Sequence, residues 1–169
     1  FNVEEIINIG IAGSLNPMVK IYDMVISDKV TYHDVSKLQM VTYPPYMEYF
    51  EANSFLKKKA MDAYNKIVVK ECNYHFGKIV TGDTFIASDE LKYIISNEYR
   101  AHCVEMEGGA IAHIASINEI PFLIIRCVCS NADDKASMLF DELDIICAYS
   151  SAKFLMQILD EIEKERYIC

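Results

Sequence analysis

The run Val104-Glu105-Met106-Glu107-Gly108-Gly109-Ala110-Ile111-Ala112 places two carboxylates and a methionine where a β-rich stretch gives way to a helix of small residues. A carboxylate accepts hydrogen bonds from two neighbouring hydroxyls at once, and small residues behind it let the turn sit tightly against a sheet. Such a turn can hold a diol, and ribose offers one. On its own the run also suits a structural role, with Glu105 and Glu107 placed at a helix N-terminus by the macrodipole and the Gly and Ala residues serving packing. Three further stretches follow β-rich runs, at the strand ends where open α/β sheets bind ligands. They are Gly10-Ile11-Ala12-Gly13-Ser14, Thr81-Gly82-Asp83-Thr84-Phe85-Ile86, and Arg126-Cys127-Val128-Cys129-Ser130-Asn131-Ala132-Asp133-Asp134. Each also reads as an ordinary turn or solvated loop; their combination with the Glu107 turn is what points to a site.

The elements that must position these residues alternate between short β-rich runs and helical stretches, as in a doubly wound α/β sheet. Strands are expected at Ile6 to Ile9, Asp23 to Ser27, Lys78 to Thr81 and Phe122 to Val128. Phe55, Ala60, Ala63, Ile67 and Val68 recur near helical spacing and predict a helix from about Asn53 to Cys72. Ser88 reads as the N-cap of the next helix, with Leu91, Ile94 and Ile95 facing inward. Glu107 to about Ser116 forms a third, left at Asn118 to Pro121. Leu143, Cys147, Phe154, Ile158 and Ile162 make one stripe of a long C-terminal helix. Pro44-Pro45 lies in an aromatic loop from Val41 to Phe50 that fits neither period. With no repeat, low-complexity tract or linker, residues 1–169 read as a single domain. The chain opens on Phe1 and enters an apolar strand within a few residues, which suggests that an N-terminal portion is absent.

At 169 residues and 52% hydrophobic, the chain can bury a substantial core. Sixteen basic against 25 acidic residues give a net charge of −9, which argues against nucleic acid or an anionic membrane as partner and suits a small neutral or cationic ligand. The six cysteines include no CxxC pair; they read as reduced thiols of a cytoplasmic protein, with Cys103, Cys127 and Cys129 packing in apolar runs. No stretch has the length of a membrane span. His75 and His102 lack a partner at metal-ligand spacing, so neither metal nor cofactor is expected. His113 reads as a packed histidine and Lys57-Lys58-Lys59 as a solvated helix face.

In order along the chain, Asn8-Ile9-Gly10-Ile11-Ala12-Gly13-Ser14-Leu15, Asp23-Met24-Val25-Ile26-Ser27-Asp28, Tyr32-His33-Asp34, Thr81-Gly82-Asp83-Thr84-Phe85-Ile86, Val104-Glu105-Met106-Glu107 and Pro121-Phe122-Leu123-Ile124-Ile125-Arg126 resemble the purine nucleoside phosphorylase and uridine phosphorylase superfamily. Within it the chain looks most like the 5'-methylthioadenosine/S-adenosylhomocysteine nucleosidases, and Phe140-Asp141-Glu142 continues the match. The resemblance implies a three-layer α/β/α fold with a mixed central sheet, here without the family's first strands. It also implies hydrolysis of 5'-methylthioadenosine and S-adenosylhomocysteine to adenine. Glu107 would bind the ribose hydroxyls and Met106 pack on the sugar, with Glu105 in support. Phe85 would stack on the purine, the backbone of Ile86 would bind its edge, and Ala12 and Gly13 would line the floor. Arg126 would help hold the attacking water. The Tyr32-His33-Asp34 strand and the loop through Met40 and Tyr43 would meet a second subunit, giving a homodimer.

Breaking an N-glycosidic bond develops positive charge on the ribose and negative charge on the departing base, so a site must answer both. Glu107 suits the sugar. For the base, the resembling nucleosidases use an aspartate in the loop after the arginine-bearing strand. This chain carries Ser130 there, or Asn131 if the register shifts by one, with Asp133 and Asp134 nearby. A general acid contributes about a hundred- to ten-thousandfold in rate, so the departure bears on turnover. Ile11 replaces a serine of the better-known nucleosidases, and the family's water-activating glutamate belongs to the portion missing here. Two other readings therefore stand beside hydrolysis: a phosphorylase using phosphate, and a nucleoside-binding relative that has lost turnover.

Overall fold

The computed structural model describes residues 2–67, 72–136 and 140–166. Its elements run β1 (Ile6–Ser14), β2 (Met24–Tyr32), α1 (Lys37–Thr42), β3 (Phe50–Glu51), α2 (Ser54–Lys66), β4 (Tyr74–Thr81), α3 (Asp89–Tyr99), β5 (Cys103–Glu105), α4 (Gly108–Ile117), β6 (Phe122–Ser130) and α5 (Phe140–Arg166). The sheet order is β3-β2-β4-β5-β1-β6, and β2 also pairs with β6, so five strands close into a ring with β3 appended. The β1–β6, β2–β4 and β4–β5 pairings are parallel, while β1–β5, β2–β3 and β2–β6 are antiparallel. The mixed sheet between helices matches the expected architecture.

All nine residues of β6 are buried, which fits a strand covered on both faces. Because side chains alternate along a strand, Ile124 faces the start of α4, where it limits the space at Gly108. Cys127 faces the other way and meets Cys147 of α5. The expected stripe of α5 is present: Cys147, Phe154, Ile158 and Ile162 are buried and Leu143 packs against the same core. Helix α2 begins where Asn53 Oδ1 accepts from the amides of Phe55 and Leu56, a side-chain N-cap. It ends at Lys66, short of Cys72, and Val68 lies outside the described residues. Ser88 caps α3 as read, its Oγ accepting from Leu91 N at 3.4 Å. Only Ile95 of the three expected inward residues is buried; Leu91 and Ile94 are exposed, since α3 lies against the core through Ile95 and Tyr99 alone.

The other differences concern glycines and short strands. Gly10 and Gly13 lie inside β1, which runs on to Ser14, and no glycine has a positive φ. Their use is close approach. A Cβ on Gly10 would sit 3.3 Å from the Arg126 guanidinium carbon, and one on Gly13 only 2.9 Å from Ala132 Cβ. Likewise Arg126 to Ser130 belong to β6 rather than to a loop. The short strands β3 and β5 are too brief for a two-residue period to reveal. No helix among the described residues is long and apolar enough to cross a membrane.

Candidate active site

Strand register assembles the site. Gly10 pairs with Arg126 and Gly13 with Ser130 across β1 and β6, Gly13 pairs with Val104 across β1 and β5, and Thr81 pairs with Glu105 across β4 and β5. The ends of four strands thus meet at one cavity of about 550 Å³, part of it open to solvent. Eight of the nine residues expected in the site line it: Ala12, Gly13, Phe85, Ile86, Glu105, Met106, Glu107 and Ser130. Four lining residues, Ile11, Thr84, Val104 and Cys129, had no expected contact with ligand.

The two carboxylates of the Glu105-Met106-Glu107 turn divide the roles that sequence left open. Glu105 is buried, and its Oε2 accepts from the amides of Glu107 (3.1 Å) and Gly108 (2.6 Å), capping α4 from outside the helix. Arg126 Nε donates to the same oxygen at 3.1 Å, and Arg126 Nη2 adds a second bond to it. Oε1 accepts from the Thr81 hydroxyl. With both oxygens engaged, Glu105 fits the structural reading; it supports the turn rather than reaching for substrate. Glu107 makes no capping bond although it occupies the N-cap position. Its side chain is 66% exposed at the cavity, with Oε2 3.6 Å from Arg126 Nη2. The macrodipole therefore accounts for one carboxylate and leaves the other available to a ligand.

Arg126 is the expected site residue that does not line the cavity. It is 1% exposed, with Nη1 donating to the carbonyl of Ile125 and the rest of its fork on Glu105. A guanidinium so enclosed braces Glu105 and lies within ion-pair distance of Glu107. Thr81, which sequence reasoning left without a role, is the other part of this frame. Its Oγ1 accepts from Gly109 N at 2.7 Å while donating to Glu105, so one buried hydroxyl ties the end of β4 to the start of α4. The available signal was its position, a hydroxyl at the last residue of a strand just before Gly82-Asp83.

The rest of the lining is largely apolar: Phe85 is exposed, Ile86 is buried, and Ile11, Ala12 and Cys129 line the same cavity. Burial pushes the Cys129 thiol up to about 11, so it stays neutral. Ser130 is buried, and its Oγ accepts weakly from Ala132 N at 3.4 Å, so its own hydrogen can point to a ligand. Asp133 and Asp134 do not replace it. Asp133 Oδ1 accepts from Lys135 N, and Asp134 Oδ1 accepts from Asp89 N at the start of α3.

Elsewhere, His113 stacks on Phe50 with ring centroids 4.9 Å apart. His75 does find a carboxylate in space, Asp23 Oδ2 at 2.9 Å, which sequence spacing could not show. Among the described residues no group of three His, Cys, Asp or Glu side chains could hold a metal ion.

Residues 1–162 match the family model described as the phosphorylase superfamily. The chain is 34% identical to aminodeoxyfutalosine nucleosidase of Helicobacter pylori over 171 residues, covering 96% of this chain and 71% of the relative. It is 34% identical to 5'-methylthioadenosine/S-adenosylhomocysteine nucleosidase of Listeria monocytogenes over 168 residues, covering 96% and 72%. The solved structure of the corresponding S. pneumoniae nucleosidase, with a transition-state inhibitor, superimposes with a TM-score of 0.86 at 32% identity, covering 96% of this chain and 71% of that one. With the mixed sheet, the strand-end cavity and these similarities agreeing, the chain belongs to the phosphorylase superfamily.

Proposed function

We propose that this chain hydrolyses the N-glycosidic bond of 5'-methylthioadenosine and S-adenosylhomocysteine, releasing adenine, as in methionine salvage. The observation that carries the reading is the pairing, in one cavity, of an exposed carboxylate at Glu107 with apolar, aromatic lining at Phe85 and Ile86. Glu107 binds the ribose 2' and 3' hydroxyls, and its charge stabilises the oxocarbenium-like sugar as the bond breaks. Met106 packs on the sugar, Phe85 stacks on the purine, the Ile86 backbone meets its edge, and Ala12 and Gly13 form the floor. Ser130 donates a hydrogen bond to the base. Glu105 and Arg126 hold the turn in place.

Hydrolysis is favoured over phosphorolysis because no lysine or arginine lines the cavity among the described residues, and Arg126 is enclosed by Glu105. The reaction calls for no cofactor. A homodimer is supported by the apolar surface where the loop after α1 meets α4: His113 Nε2 lies 3.1 Å from Pro44 O, and Tyr43, Tyr46 and Ile114 beside it are exposed. The described cysteines are free, and four of the five are buried, as suits the cytoplasm. The test is to incubate the protein with 5'-methylthioadenosine, with and without phosphate, and follow adenine. Release without phosphate is expected. A strict phosphate requirement would convert the reading to a phosphorylase, and tight binding without release would leave a nucleoside-binding protein, the alternative that Ser130 favours.

A further inference from the structure

The aromatic end of the cavity holds no carboxylate among the described residues that line it. Among the described residues the lining acids are Glu105 and Glu107, both on the turn assigned to the sugar, and Glu105 is committed to Arg126, Thr81 and the α4 amides. Asp133 and Asp134 are engaged by the amides of Lys135 and Asp89, away from the cavity. Asp83 lies outside the lining as well, in a loop whose amide binds Asp34. What faces the base is the Ser130 hydroxyl and the neutral Cys129 thiol, neither of which gives up a proton to a purine nitrogen near neutral pH.

Breaking the C1'–N9 bond sends its electron pair into the base. An ordinary purine must be protonated to leave as a neutral molecule. A purine alkylated at N7 is already a cation: it takes up the pair, loses its charge and departs neutral, while water bonds to C1' and releases its proton to solvent. The same cavity suits a cationic base in one further way: no ammonium or guanidinium lines it among the described residues to repel one.

We propose that this chain has a further activity, hydrolysis of N7-alkylated purine nucleosides, and that it accelerates their cleavage at least as much as that of the unalkylated nucleoside. The proposal rests on the reading of the cavity as a nucleosidase site. Its test uses the full chain with 5'-methylthioadenosine and with the N7-methyl derivative of the same nucleoside. Base release is measured for each and divided by its rate in enzyme-free buffer. An acceleration of the derivative equal to or above that of the parent is expected. A larger acceleration of the parent would show that a proton donor serves the base, and would overturn the proposal while leaving the hydrolase reading intact. Release from the derivative alone upholds the proposal and removes 5'-methylthioadenosine as substrate; release from neither removes both. Ser130→Asp supplies the missing acid and should raise parent turnover relative to derivative by about a hundred- to ten-thousandfold. The wild-type comparison stands whether or not that variant folds.

Discussion

The two ends of the cavity are built on opposite principles. At the sugar end, Glu105 gathers five hydrogen bonds from Thr81, Glu107, Gly108 and Arg126, all buried or nearly so, and holds Glu107 out to the ligand. At the base end, a hydroxyl with one long bond stands among apolar side chains. On the proposed reading, charge is concentrated where the sugar would become positive and is absent where the base would become negative. A site so divided stabilises half of the charge separation in glycosidic cleavage and leaves the other half to the substrate's own chemistry.

Substitutions can break or sharpen this contrast. Arg126→Ala strands Glu105 as a buried, unpaired charge and should cost about 3–5 kcal/mol of stability, read as a lowered urea midpoint. A loss confined to activity would mean that the frame does not depend on the ion pair. Glu107→Gln keeps the shape and removes the charge; base release should fall about a hundred- to a thousandfold with the urea midpoint unchanged. Equal loss of stability would mean that Glu107 belongs to the frame after all. Thr81→Val leaves Gly109 N and Glu105 Oε1 without their shared partner and should cost about 1–3 kcal/mol, with Thr81→Ser restoring most of it in the same unfolding assay. Ser130→Ala should have the smallest effect, about 0.5–1.5 kcal/mol, measured as weakened binding of adenine. A loss beyond a hundredfold would place more of the chemistry at the base end than its contacts suggest.

Much of this arrangement was legible in sequence because it rests on chemically unusual residues in strand-to-helix turns. Glu107, Phe85, Ile86 and Ser130 line one cavity, and the apolar run from Phe122 reads as a strand, which the structure extends to Ser130. What sequence concealed was partnership across strands. Gly10 and Gly13 read as turn residues because glycine punctuates loops, yet they clear room for Arg126 and Ala132 within a continuous strand. Arg126 read as a group facing water because its burial depends on a register that brings Glu105 alongside. Thr81 falls within a motif but has no role of its own in sequence, because one hydroxyl acquires meaning only when two other elements converge on it. Leu91 and Ile94 show the opposite failure: apolar spacing on α3 promised burial, but no element covers that face among the described residues.

Thr81 also has a consequence for how the cavity responds to ligands. Its hydroxyl, with the Gly82 amide donating to the Glu105 carbonyl at 3.1 Å, fastens the loop that carries Phe85 to the turn that carries Glu107. A displacement of either segment therefore bears on the other, so a ligand that moves the loop shifts the turn as well, and the linkage works equally in reverse.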